Sequence, residues 1–378
     1  MLVSKPRLPL RDILLHGWLP SPFKKWFYRL KGYRIGKGVS FGFGAIICGR
    51  KVEVGDYTQI GFLSFVRGDT IRLGAHVQIG AMTMLDTPHL DIGDGTRFNE
   101  QVFVGGLQFP DSKLVVGRNC QIMQMTFINP TRSITIGDDT GIGGHCLLFG
   151  HTSWLSQFEG YPVDFQSIEI GRSVSLAWRV FLLPGTRIGD GAVIGANSLV
   201  KGIIPPRCLA VGFPARVVST TPEFPREVSE ADKERIFREI LTEMVAYLDG
   251  FGLRCTIQGA VYKIIDQRRT GWGSRRKEWH LAVESAAMKP VLGTTSLLHA
   301  DVFLSLRTIP PSVRLSLETR RQMWIDIESK ERSDWGNDLG EEVVQFFRRY
   351  GVRFFRVKQS ELVNPAGLLA PTLESRSL

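Results

Sequence analysis

The chain is poor in the residues that carry metal and redox chemistry: it has five cysteines, none in a CxxC pair, and seven histidines among 378 residues. Without paired cysteines neither a disulfide framework nor a thiolate zinc site is expected, and Cys120 and Cys146 read as small core thiols of a reducing compartment. No apolar run approaches the ~20 residues that span a bilayer, and no secretory signal with a cleavage site is visible, so a cytoplasmic location is expected. Apolar residues at three- and four-residue spacing are missing from residues 33–218, which excludes helical architecture there. Acid is scarce at the start of the chain. Residues 1–37 hold nine basic residues against one acid, Asp12, and contribute most of the formal charge of +10.

Residues 33–218 instead carry a repeat of six: an aliphatic residue, a small one that is usually glycine, two variable residues, a small or β-branched one and one more. Eight groups of three such hexads run from Ile35, Phe41 and Ile47 to Ile188, Ile194 and Val200. A short fixed period buries its apolar face only by stacking unit on unit, so this stretch is a solenoid of short strands and corners. The aliphatic residue points inward, the fifth position (Val39, Thr58, Val77, Thr96, Thr140, Val174, Ala192) must suit a crowded interior, and glycine at the second position suits a tight corner. Two interruptions, residues 105–115 and 150–167, mark protruding loops.

The run from Ile170 to Val200, with Pro205-Pro206 and the segment Val211-Gly-Phe-Pro-Ala-Arg-Val217, resembles the closing coils of sugar acetyltransferases of the hexapeptide-repeat acyltransferase superfamily. The resemblance covers residues 33–218. It implies a mainly β fold, a left-handed parallel β-helix of about eight coils, and an acetyl-coenzyme A dependent O-acetyltransferase that forms a homotrimer, with no metal. In that family a histidine about 20 residues before the closing coils, followed by a loop, is the catalytic base, and His151 matches it. Where the family often has an acidic residue after the histidine this chain has Thr152, so Asn129, Gln124, Asp164 or a backbone carbonyl would orient the ring. By position in the family's pantetheine groove, backbone groups near Ala177 and Ala196 would receive the acyl donor, and Lys201 and Arg216 would meet its phosphates. Trp178 stands where relatives usually carry a small residue and would narrow that groove. The acceptor implied is a sugar of a bacterial surface polysaccharide, or its nucleotide- or lipid-linked precursor. N-acetylation of an amino sugar and a non-catalytic scaffold are the alternatives. A zinc hydratase like the γ-type carbonic anhydrases needs three converging histidines, whereas His145 and His151 are six residues apart and His89 is more than two coils away.

Outside the repeat, residues 1–32 interleave basic residues with Leu14, Leu15, Trp18, Phe23, Trp26, Phe27, Tyr28 and Leu30. That composition suits first a cap on the open first coil, and also peripheral contact with the inner face of the membrane; nucleic acid is not expected. A proline-rich linker over 219–228 leads to an α+β domain of unknown role over 229–360 and a flexible tail over 361–378. In that domain a helix is expected from Ser229, capped with Asp232, to Gly250 through Ile236, Ile240, Leu241, Met244, Val245 and Leu248, and a second over 338–350. Strands are expected at 256–265, 302–306, 323–327 and 352–357. Arg268, Arg269, Arg275, Arg276 and Lys277 read as a solvated loop.

Overall fold

The computed structural model describes residues 13–153, 155–267, 277–287 and 299–363, so the loop arginines 268, 269, 275 and 276 and most of the expected tail lie outside the described residues. The chain divides into two compact units between Glu227 and Val228.

In the first unit the strands form three sheets of nine, ten and eight strands. Arg34–Ile35, Ser40–Phe41 and Ile46–Cys48 begin the first, second and third faces, and Lys51–Val54, Gln59–Ile60 and Phe65–Arg67 pair on them in parallel one coil later. Repeated to Leu199–Val200, this is a left-handed parallel β-helix. A partial ninth coil closes in the antiparallel hairpin of Cys208–Gly212 and Ala215–Thr220. Every aliphatic residue that sets the period is buried, and so is every fifth-position residue named above. Thr58, Thr96 and Thr140 do more than fit: each hydroxyl donates to a carbonyl of the next coil, Gly74, Gly117 and Gly171, at 2.7–2.9 Å. Cys146 fills the same kind of position, and burial pushes its thiol up to about 11, far from reactivity.

The second-position glycines are needed for a different reason from the one expected. None of Gly55, Gly93 or Gly117 has positive φ; a Cβ there would stand 2.5–2.6 Å from backbone of the following coil. The left-handed residue comes two positions later, at Tyr57, His76, Asn119 and Asp139. Glycine therefore buys inter-coil clearance rather than a turn angle.

The open first coil is covered by helix α1, Ser21–Leu30, as the capping reading expects. Three N–H groups that face no preceding coil, on Phe41, Ile47 and Gly49, donate to the hydroxyls of Ser21, Tyr28 and Tyr33 at 3.0–3.2 Å. The carbonyls of Gly42 and Ala45 accept from the fully buried Lys24 ammonium at 2.8 and 3.0 Å, and that of Ile35 from Arg29. Covering unpaired strand edges in this way prevents end-to-end pairing.

The second unit has a seven-stranded mixed sheet. Helix α2, Glu230–Gly250, starts where expected, its Ser229 hydroxyl accepting from the Asp232 N–H, and buries Phe237, Ile240, Leu241, Met244 and Leu248. The stretch expected as one strand over 256–265 is a hairpin, Leu253–Gln258 and Val261–Asp266, because Gly259 takes a left-handed turn. Strand Glu278–Glu284 and helix α3, Pro311–Thr319, escaped the sequence reading; the helix is short and begins at a Pro-Pro pair that reads as a loop. Helix α4, Asp338–Arg348, ends two residues earlier than expected. Gln359–Val363 is helical, which corrects a tail beginning at 361. Lys277 is exposed, as the solvated reading expects, and pairs with Asp338 at 2.5 Å.

Candidate active site

Both interruptions of the repeat leave from one edge of the β-helix, between the third face and the next strand of the first. Strand Leu147–Phe149 lies on the third face, and after Gly150 the chain turns into His151–Thr152, which pairs antiparallel with Asp164–Phe165. That pairing sets His151 opposite Phe165. The two rings stack at 5.8 Å with 15° between their planes, and the Phe149 ring lies 6.4 Å from that of His151. The earlier loop joins the cluster, with Phe109 edge-on to Phe165 at 5.8 Å and the Arg132 guanidinium 5.0 Å over Phe109. Arg132 also pairs with Asp111 at 2.9 Å.

The first loop is held by residues the sequence reading passed over. Asp86 is buried, takes a bidentate contact from Arg67 at 2.7–2.8 Å and accepts from Gln108 at 3.0 Å. His89 bridges Thr70 Oγ1 at 2.6 Å and the Pro110 carbonyl at 3.0 Å. The signal for both was faint: a charge pair one coil apart and a histidine opposite a proline loop.

The structure brings none of the three expected side chains to the His151 ring. Asn129 is buried beside Gly150, whose N–H donates to its carbonyl, but its side-chain oxygen accepts from the Thr131 N–H and hydroxyl. Gln124 sits at the corner between the second and third faces, where its carbonyl accepts from the His145 N–H. Asp164 accepts from Gln166 at 2.7 Å. The His151 Nδ1 atom is buried without a hydrogen-bond partner. The ring is therefore positioned by strand pairing and stacking. Burial also holds its pKa below 6.5, so the imidazole is neutral at neutral pH and able to accept a proton.

Of the residues expected to meet the acyl donor, Ala177, Trp178 and Ala196 lie on the corner that leads onto the third face, while Lys201 lies beyond the far end of that face and Arg216 on the closing hairpin. Ala196, Lys201 and Arg216 are exposed. The Ala177 N–H is committed to the Ile194 carbonyl at 2.9 Å and its carbonyl accepts from Cys146, which leaves no free donor there. Trp178 is exposed and covers Gly144, with the His145 ring 5.8 Å away. His145 itself is a left-handed corner residue, φ 56°. A cleft of about 580 Å³ opens beside the loop, lined by Phe165, Gln166, Arg132, Glu169, Gly185 and Arg187. A groove of similar size, about 610 Å³, runs along the second face past Gln59, Gln78 and Arg97, and lacks a histidine or other base at its wall apart from Glu100. Among the described residues no three His, Cys, Asp or Glu side chains converge as a metal site.

No family model matches the chain. The putative lipopolysaccharide biosynthesis O-acetyl transferase WbbJ of Escherichia coli K12 is 36% identical over 112 residues, 26% of this chain and 57% of that protein. Galactoside O-acetyltransferase of the same organism is 31% identical over 142 residues, 35% of this chain and 63% of that protein. This chain is thus similar over part of its length to two O-acetyltransferases. The chain spans about three-fifths of the length of these two relatives. Among solved structures, the polySia specific acetyltransferase NeuO is 18% identical, with a TM-score of 0.36 over 50% of this chain and 79% of that one.

Proposed function

We propose that the protein transfers an acetyl group from acetyl-coenzyme A to a sugar hydroxyl of a bacterial surface polysaccharide or of its nucleotide- or lipid-linked precursor, with His151 as general base. The observation that carries this reading is the His151–Phe165 pair: a neutral, half-buried imidazole held rigidly where a loop leaves the coil. The similarity to relatives named for O-acetyl transfer to lipopolysaccharide and galactosides supports the reaction class.

In the reaction, the imidazole accepts the proton of the attacking hydroxyl as the new oxygen–carbon bond forms, then returns it to the departing thiol, so no net proton is gained or lost. His151 Nδ1 faces protein, which leaves Nε2 for this exchange. Glycine-rich corners supply backbone N–H groups for the developing oxyanion. Trp178 and exposed Ala196, Lys201 and Arg216 fit a donor laid along the third face, with the cationic side chains toward its phosphates; Ala177 contributes surface rather than a hydrogen bond.

The third face also supports the homotrimer. Its outward positions include Phe65, Met84, Phe103, Phe127, Leu147, Phe181 and Leu199, alternating with the buried positions, with Arg67 the charged exception on the strand of Phe65. The second face shows Ser40, Gln59, Gln78, Arg97 and Gln121 outward, and the first Glu53, Arg72 and Asp91. One apolar face in three, about 29 Å long at the usual strand spacing, is a seam for further copies.

The test is thiol release from acetyl-coenzyme A with a panel of oligosaccharide and nucleotide-sugar acceptors. Acceptor-dependent release that falls ~100-fold or more in His151→Ala is expected. Equal release from both proteins overturns His151 as the base, and release with amino sugars alone assigns N-acetylation instead.

A further inference from the structure

We propose that the outward face of α1 is a docking surface for an anionic lipid bilayer. The inward face of this helix is fully accounted for by the coil it caps. Lys24 and Tyr28, four residues apart, are fully buried and bonded to first-coil backbone, and Phe27 packs beside them. A helix whose only task was to cover the coil would be polar on its other side. This one is not. Phe23, Trp26 and Leu30, at i, i+3 and i+7, are 61%, 64% and 67% exposed. Just before the helix, Leu15 and Trp18 are 58% and 60% exposed. Five large apolar side chains stand outward on one short terminal segment, two of them tryptophan, the residue best suited to the boundary between hydrocarbon and headgroups.

Charge selects the occupant. No acidic residue occurs between Ile13 and Val52, while Lys25, Arg29, Lys31, Arg34 and Lys37 line the helix and the chain just after it. Arg29, Lys31 and Lys37 are exposed, and Lys31 sits 4.7 Å over the Phe27 ring at the helix end. Arg34 pairs with Glu53 at 2.9 Å; the exposed aromatics and the other cations beside them match a surface that offers hydrocarbon beneath negative headgroups. A second copy of the same face would set cation against cation. No helix among the described residues is long and apolar enough to cross a membrane, so the contact is one of lying on the bilayer rather than spanning it. The docking is independent of the chemistry at His151.

The experiment is flotation of the full-length protein with vesicles of phosphatidylglycerol and phosphatidylcholine in equal parts. The comparison is a variant carrying Phe23→Ser, Trp26→Ser and Leu30→Ser, exposed positions whose replacement leaves the buried cap contacts in place. Circular dichroism checks that its fold is kept. The wild type is expected to float with these vesicles, less with phosphatidylcholine alone and less at high salt, and the triple variant to float at least tenfold less. Failure of the wild type to float, or equal flotation of the folded variant, overturns the proposal. Sedimentation velocity of both proteins without vesicles supplies the other occupant: a drop in assembly size in the variant with flotation unchanged assigns the face to self-association.

Discussion

The Phe165 ring lies parallel to the His151 imidazole at 5.8 Å, placed there by antiparallel pairing of their two strands. Burial under this ring lowers the pKa of the histidine below 6.5. Between that lowered value and 6.5 the unfolded chain binds the proton more tightly than the folded one. Stability therefore falls as the pH drops through this interval, and the proposed base stays available to a lower pH than a free histidine would. Phe165→Leu keeps the strand pairing and uncovers the ring. The acid limb of kcat/KM should move up toward 6.5, and an NMR titration of the His151 ring protons should move with it. An unchanged midpoint in both would show that Phe165 does not shield the base.

Lys24 makes a second titrating device of a structural kind. Its ammonium, donating to the carbonyls of Gly42 and Ala45, is drawn down by burial to about 8. Lys24→Met leaves both carbonyls without their donor and should cost about 1–3 kcal/mol. Between pH 8 and the ordinary 10.5 the unfolded chain holds this proton more tightly, so raising the pH through that window favours the folded state through Lys24 alone. Urea midpoints of wild type and variant should diverge with pH in the wild type's favour, and parallel curves would show that the amine does not titrate there.

Most of the coil was legible because its period and its burial are the same fact: an inward residue every six positions cannot be satisfied by another fold. The reason for the glycines was not legible, since clearance from the following coil depends on atoms about twenty residues away and leaves no local mark. The position of His151 was readable from where the repeat breaks. Its surroundings were not, because Phe165 returns across a loop and reaches the ring through pairing that no spacing encodes. Asn129 and Gln124 were chosen by coil arithmetic, which places residues along the stack but does not say which edge or which local partner, Thr131 for one, claims the side chain. In the second unit Ser229 and the apolar stripe of α2 spoke plainly, whereas α3 hid behind Pro310-Pro311.

That second unit has a charged centre whose loss should be costly. Asp326 is fully buried at the end of a parallel strand, and accepts from Arg314 at 2.6 Å and from the N–H groups of Ile309 and Ser329 at 2.7 and 3.0 Å. Arg314 in turn lies 4.6 Å over Trp324. Asp326→Ala removes one of the two carboxylates that hold the buried Arg314, the other being Glu331, and leaves two N–H donors unmet, a change that should cost about 1–3 kcal/mol. Hydrogen exchange in strands Val302–Ser305 and Met323–Asp326 of the full chain should accelerate accordingly, and unchanged protection there would contradict the assignment.

The apolar third face makes the sharpest demand on assembly. Phe127 is at its centre, its ring 5.0 Å from Phe103 and 5.2 Å from Phe149, the residue two before His151. A carboxylate at this position remains tolerable in a single copy, because the site is half-open to water, but becomes unpaired once a neighbour covers it. With the proposed trimer as the wild-type state, Phe127→Asp should therefore give a folded monomer by sedimentation equilibrium. If the donor groove is built between copies, thiol release should fall in the same variant with the His151 ring titration unchanged, which separates loss of assembly from damage to the base. A variant that stays trimeric would remove the third face as the seam and leave its row of aromatic and aliphatic side chains to be covered by something else.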